Sequence, residues 1–211
     1  MILMIDVKNV TKEFDNNIII NDISVTFNKG NIYGFVGRNG SGKTVFLKMI
    51  CSFYNPTSGE IKIDGENYNL NGRFPPSMRA LIENPSFLPD LTGFENLKLL
   101  ASIQNKITDN DIIDSLKIVN LYEDKDKNYK KYSLGMKQKL GIAQVLMENP
   151  KFMIFDEPFN GIENKTANKI RDHLKKIKND KIIFIASHIK EDIENFCDII
   201  YEFDEGIINK F

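Results

Sequence analysis

The sequence contains no tryptophan, two cysteines and two histidines among 211 residues. Its only arginines are Arg38, Arg73, Arg79 and Arg171. Cys51 and Cys197 cannot form a disulfide framework or a Cys–Cys zinc spacing, and so few thiols fit a reducing compartment. Neither sign of charge dominates. Lys and Arg number 28 against 29 acidic residues, a formal net charge of −1, which excludes a nucleic-acid binder that works through bulk charge. Long apolar runs are also missing: Phe152–Phe155 and Ile182–Ala186 fall far short of the roughly 18 residues of a membrane-spanning helix. The first ten residues lack a basic start and meet Asp6 early, so they do not read as a signal peptide. A role at a membrane would therefore need another chain to supply the span. Apolar surface itself is plentiful, with 42% hydrophobic residues and 15 phenylalanines, enough for a real core.

The first thirty residues alternate in part with period two (Ile5, Val7, Val10; Ile18–Ile20, Ile23, Val25, Phe27), which predicts strands broken by Asn and Asp turns. Ile32–Val36 is a short apolar run that ends in a glycine-rich loop and then a helical stretch through Val45, Leu47 and Ile50. Ile61–Ile63 between Gly59 and Gly65 predicts a further strand. From about Pro85 the pattern turns helical. Thr92 with Glu95, and Thr108 with Asp111, carry the spacing of capping boxes. Met136, Leu140, Ala143 and Met147 mark one face of a third helix. Phe152–Phe155 and Ile182–Ala186 return to β, as unbroken runs suited to a parallel sheet covered on both faces. Between them Ile162, Thr166, Ile170, Leu174 and Ile177 mark a crossover helix. Ile199–Phe203 and Ile207–Ile208 predict the last strands, leaving no room for an added C-terminal regulatory domain. The lysine-rich segment Lys125–Lys131 has Asp126 interleaved and reads as a solvated loop. The organisation is one domain over 1–211, with a core of about 1–84 and 147–211 and a helical insertion of about 85–146.

Gly37-Arg38-Asn39-Gly40-Ser41-Gly42-Lys43-Thr44 fits the phosphate-binding P-loop pattern in full. Its glycines let successive N–H groups curl around phosphate oxygens, and the helix that follows presents its positive end to the anion. In this pattern Lys43 neutralises β- and γ-phosphate charge and the Thr44 hydroxyl ligates Mg²⁺. Asp156 and Glu157 follow the apolar run 152–155, at the strand end where α/β sheets bind ligands. Asp156 there suits a Mg²⁺ ligand, and Glu157 suits a base that polarises an attacking water. His188, at the end of the next apolar run, could bond the γ-phosphate or orient Glu157. His173, inside the crossover helix, reads as structural.

Together these residues resemble the nucleotide-binding domain of an ATP-binding-cassette (ABC) transporter. Tyr132-Ser133-Leu134-Gly135-Met136-Lys137-Gln138 resembles the family's signature motif, Glu83 its Q-loop position, His188 its switch histidine, Gly161-Ile162-Glu163 its D-loop and Phe14 its adenine-stacking aromatic. The resemblance implies an α/β fold: a P-loop NTPase (RecA-like) core with an N-terminal antiparallel β subdomain and an inserted α-helical subdomain. It also implies ATP and Mg²⁺ as cofactors and hydrolysis as the activity, with Glu83 near the metal or water. Two cassettes, identical or different, would enclose two ATPs, with Ser133 and Gly135 of one meeting the γ-phosphate on the other. A transmembrane permease would be the partner, at the cytoplasmic face of the membrane, with no nucleic acid involved.

Four positions depart from the family's usual residues: Leu134, Met136, Glu83 in place of Gln, and Glu163 in place of Asp. None removes an expected hydrolytic group. Glu83 with Asn84-Pro85-Ser86-Phe87 resembles cassettes of bacitracin and lantibiotic resistance, and export of a peptide, drug or lipid follows from that likeness. A nucleotide-gated regulatory or assembly ATPase is the alternative. It fits less well, because there is one P-loop and only 90 positions separate Lys43 from Ser133, with no sustained heptads between them. A small-molecule kinase would need an arginine-rich lid that this sequence does not supply.

Overall fold

The computed structural model describes residues 3–69 and 72–211. Its internal contacts form two compact units. The first comprises Met1–Ile82, Lys151–Glu157 and Ile177–Phe211, and the second Glu83–Pro150 and Pro158–Lys176.

The first unit holds two sheets. β1 (Met4–Phe14) lies between β2 (Asn17–Asn28) and β4 (Ser58–Ile63) in an antiparallel sheet. Phe14 pairs with Asn17 across a two-residue turn, where Asp15 and Asn16 take φ of 48° and 63°. Asp and Asn tolerate this left-handed backbone, whose twist suits a tight hairpin. The second sheet contains β3 (Asn31–Val36), β5 (Met78–Leu81), β6 (Phe152–Asp156), β7 (Ile182–Ser187), β8 (Ile199–Asp204) and β9 (Ile207–Lys210). Its order is β5-β6-β7-β3-β8-β9, parallel except for β9. Every residue of β6 and β7 is buried, which is why both read as unbroken apolar runs. Strand β5 has no such signal in the sequence. It forms because Met78–Leu81 pairs with Phe152–Phe155, a tertiary contact that local propensity does not reveal.

Register then places the functional ends. Val36 sits opposite Ser187 and Asp156 opposite Ala186, so the adjacent strands β6, β7 and β3 finish level. Beneath them the core is aromatic. Phe27, fully buried, meets Phe184, Tyr33 and Phe35 edge-on at centroid distances of 4.8, 4.9 and 5.9 Å. Helix α1 (Lys43–Ile50) opens directly after the loop that leaves β3, and buries Phe46, Leu47, Met49 and Ile50. The short helix α6 (Glu191–Glu194) follows β7.

The second unit is helical: α2 (Gly93–Gln104), α3 (Asp109–Ile118), α4 (Leu134–Leu146) and most of α5 (Asn164–Ile177). The Thr92 hydroxyl accepts the Glu95 amide at 3.1 Å, and the Glu95 carboxylate accepts the Thr92 amide at 2.8 Å. That is the reciprocal cap anticipated from spacing. At α3 the Asp111 carboxylate takes both the Thr108 amide and its hydroxyl, each at 2.7 Å. Helix α5 starts at Asn164, so Ile162 precedes the helix although its spacing matches the helical stripe. The lysine-rich segment differs from a free loop. Its ammonium groups are solvated and Lys130 pairs with Asp90 at 2.7 Å. Its backbone, however, is laced to residues 89–94: the Phe94, Tyr129 and Lys130 amides donate to the carbonyls of Lys125, Leu91 and Pro89 at 2.9, 2.9 and 3.0 Å. Among the described residues no helix is long and apolar enough to cross a membrane.

Candidate functional site

The level ends of β6, β7 and β3 bring together residues far apart in sequence. From β3 the chain passes through Gly37–Gly42 into α1. Gly42 sits at φ 107°, a conformation that a side chain would strain. Lys43 is 5% exposed, and its ammonium donates to the Gly37 and Arg38 carbonyls at 2.7 and 3.0 Å. Burial lowers its pKa, while Glu157 and Asp156 nearby oppose that by favouring the charge. The Thr44 hydroxyl donates to the Asp156 carboxylate at 2.6 Å.

Glu157 follows β6 in a left-handed conformation, φ 50°, and its amide donates to the Ala186 carbonyl of β7 at 2.8 Å. A non-glycine residue there is under backbone strain, which functional sites hold against surrounding structure. Three bonds fix its carboxylate. Oε1 accepts the His188 backbone amide and meets His188 Nδ1, each at 2.8 Å, and Oε2 accepts the Ser187 hydroxyl at 3.2 Å. His188 therefore contacts Glu157, one of the two partners its position allowed. Ser187 joins the carboxylate's holders. No local pattern marks this residue, because only the register of β6 against β7 brings its hydroxyl to Glu157.

A cleft of about 390 Å³ opens over these groups, lined by Phe14, Ile19, residues 39–45, Asp156 and Glu157. Phe14 stands at its wall, 38% exposed, with its edge toward Tyr54 at 5.5 Å and the Lys12 ammonium 4.6 Å from its ring. The residues present fit a magnesium nucleotide. Ser41 Oγ is buried with no hydrogen-bond partner among the described residues, a donor awaiting an acceptor inside the loop. The hydroxyl of Thr44 and the carboxylate of Asp156 form a hard oxygen donor set of the kind Mg²⁺ prefers.

The remaining candidates belong to the second unit. The Ser133 hydroxyl caps α4 by accepting the Met136 amide at 3.3 Å. At Gly135 an added Cβ would lie 2.3 Å from the Gly161 carbonyl, so only glycine permits this approach of helix start to loop. Leu134, at the first departure from the signature pattern, is exposed. Glu163 accepts from Lys139 at 2.7 Å and from the Thr166 hydroxyl at 2.8 Å. The Lys139 hydrogen bond leads the causes that hold its carboxyl down to about 2. Glu83 takes φ 62° at the start of the loop that runs to α2.

The parallel sheet, the glycine-rich turn into α1 and the paired acids at the end of β6 define a P-loop nucleotide-binding fold. A solved ATP-binding subunit of an ABC transporter superposes with a TM-score of 0.88, covering 99% of this chain and 89% of that one at 23% identity, a likeness of fold. The ABC transporter family model matches residues 20–160. An uncharacterised ABC transporter ATP-binding protein of Bacillus subtilis, YybJ, is 43% identical over 204 residues, 96% of this chain and 94% of YybJ. The bacitracin transport ATP-binding protein BcrA of Enterococcus faecalis is 38% identical over 96% of this chain and 67% of its own length. The chain belongs to the ABC transporter family, as an ATP-binding subunit with ATPase activity.

Proposed function

We propose that the chain hydrolyses ATP between two head-to-tail cassettes and thereby drives a separate transmembrane permease from the cytoplasmic face of the membrane. In this reading Lys43 neutralises charge on the β- and γ-phosphates, and Phe14 stacks on adenine. Thr44 and Asp156 would hold Mg²⁺, joined by Glu83 if the family resemblance extends to it, and the ion would supply charge neutralisation at the phosphate oxygens. Glu157 takes the proton of the water that attacks the γ-phosphorus as the bond to the bridging oxygen breaks. His188 and Ser187 hold the Glu157 carboxylate in place for that transfer. Ser133 and Gly135 present the start of α4 to the γ-phosphate of the opposite cassette, so loss of that phosphate weakens the closed pair. The name of BcrA, a bacitracin transport ATP-binding protein, and the likeness of the Glu83 loop support export of a peptide, drug or lipid.

The observation that carries the reading is the triply held Glu157 carboxylate beside the Lys43–Thr44–Asp156 cluster. The test is to purify the chain and its Glu157→Gln variant, then follow ATP hydrolysis and ATP-dependent mass by light scattering. The variant is expected to hydrolyse about 10²–10⁴-fold more slowly while still doubling its mass with ATP. Equal hydrolysis by the two proteins refutes Glu157 as base, and constant mass in both refutes the paired-cassette arrangement.

A further inference from the structure

Two segments of the second unit meet at Tyr129, a residue no part of the hydrolytic reading uses. Its side chain is buried. On one side its Oη donates to the Pro85 carbonyl at 2.8 Å, two residues after Glu83. Its amide donates to the Leu91 carbonyl at 2.9 Å, and its ring meets Phe87 edge-on at 5.3 Å. On the other side the ring lies 5.8 Å from that of Tyr132, the neighbour of Ser133. The Lys137 ammonium stands 5.2 Å from the same ring, while the Lys137 amide closes the first turn of α4 on the Ser133 carbonyl at 3.0 Å. Residues 82–91 form neither helix nor strand, so this stretch takes its position from such side-chain contacts and from the backbone bonds of Pro89 and Leu91.

We propose that Tyr129 is a positioning residue that ties the loop after Glu83 to the signature segment, so that a displacement of that loop is passed to Ser133 and Gly135. The two attachments differ in kind. The Oη bond is directional and fixes one point of the loop, whereas the ring packs on Tyr132 and Lys137 and moves with the start of α4. A loop without secondary structure can shift at modest cost, while close-packed rings transmit the shift. The inference rests on the role given above to Ser133 and Gly135, and it adds the route by which the loop would govern them.

Tyr129→Phe removes the Oη bond and keeps the ring, and Tyr129→Leu removes both the bond and the ring contacts, leaving the Tyr129 amide on Leu91 in each. Amide hydrogen exchange, read by mass spectrometry on the purified chain without nucleotide, is followed at residues 86–91 and at Met136 and Lys137. Loss of one neutral hydrogen bond corresponds to roughly a 2- to 12-fold change, so Tyr129→Phe should speed exchange by that factor at both places. Tyr129→Leu should speed it further. With ATP, Tyr129→Leu should lower kcat about tenfold and leave KM within about twofold, because the P-loop lies in the other unit. A merely structural role would speed exchange at 86–91 and leave Met136 and Lys137 at the wild-type rate, and that result overturns the proposal. If exchange rises at both places but kcat holds, the mechanical tie stands and the role given to Ser133 and Gly135 falls.

Discussion

The two units of this chain hold their functional groups by different physics. In the first, Glu157, His188, Ser187 and the P-loop sit at the ends of fully buried parallel strands over a cluster of interlocked aromatic rings. In the second, Ser133 and Gly135 sit at a helix start, and the Glu83 loop is held by side-chain hydrogen bonds and a backbone lacing. Apolar packing resists any displacement, since interiors are as dense as organic crystals. Directional polar bonds at the surface can be exchanged for bonds to water at a net cost of about 1 kcal/mol each. The groups proposed to meet phosphate thus stand over dense apolar packing, and the groups proposed to signal loop position stand where directional polar bonds hold the chain.

Several substitutions sharpen or break that contrast. The largest effect is expected from Phe27→Ala, which empties the centre of the aromatic cluster and should cost about 3–5 kcal/mol of stability, measured by urea unfolding. Removing the imidazole from Glu157 by His188→Ala should slow hydrolysis about 10²-fold with unfolding unchanged, because the strand-end backbone bonds remain. Asn96→Ala reaches the second unit. Its side chain accepts the Leu88 amide at 2.8 Å and donates to the Leu88 and Thr92 carbonyls at 3.0 and 2.9 Å, so its loss should cost about 1–3 kcal/mol. A cost equal to that of Phe27→Ala would erase the distinction between the units. Ser133→Ala removes only a cap and should cost about 1 kcal/mol, read as a lowered thermal midpoint.

The smallest effect belongs to the Lys139–Glu163 pair. Glu163 titrates at about 2 in the fold against an ordinary 4.5. A depressed carboxyl binds fewer protons when folded, so its contribution is complete above about 4.5 and is lost as pH falls toward 2. The Glu163 side chain is 54% exposed, and solvent screening keeps the contribution to about 1 kcal/mol or less. Glu163→Gln should therefore lower stability by about 1 kcal/mol or less above pH 4.5 and flatten the acid limb of an unfolding curve, the two proteins converging as pH falls toward 2.

Much of both units was legible in advance where the signal is local. The P-loop, the acids after 152–155 and the Thr92–Glu95 and Thr108–Asp111 caps are all patterns within a few residues, and each forms as its spacing implies. The lysine-rich segment was legible only in part. Its charges mark solvent exposure, but nothing in residues 125–131 announces backbone partners as far upstream as Leu91 and Pro89. Strand β5 was invisible for the same reason, since four residues with two partly exposed positions carry no periodicity to read.

What the sequence by itself determined is the chemistry: which side chains can cradle phosphate, donate, accept and take a proton, and which short segments turn or cap. What only the tertiary structure decided is their convergence. Strand β7 had to insert between β6 and β3 for His188 and Ser187 to reach Glu157, and Tyr129 had to fold back across 44 residues to find Pro85. Periodicity and capping are set by bonds within a turn of chain. Strand order and register are set by hydrogen bonds and packing between strands far apart in the chain, such as Phe152 opposite Ile182 and Asn31 opposite Ile182, and no local pattern specifies them.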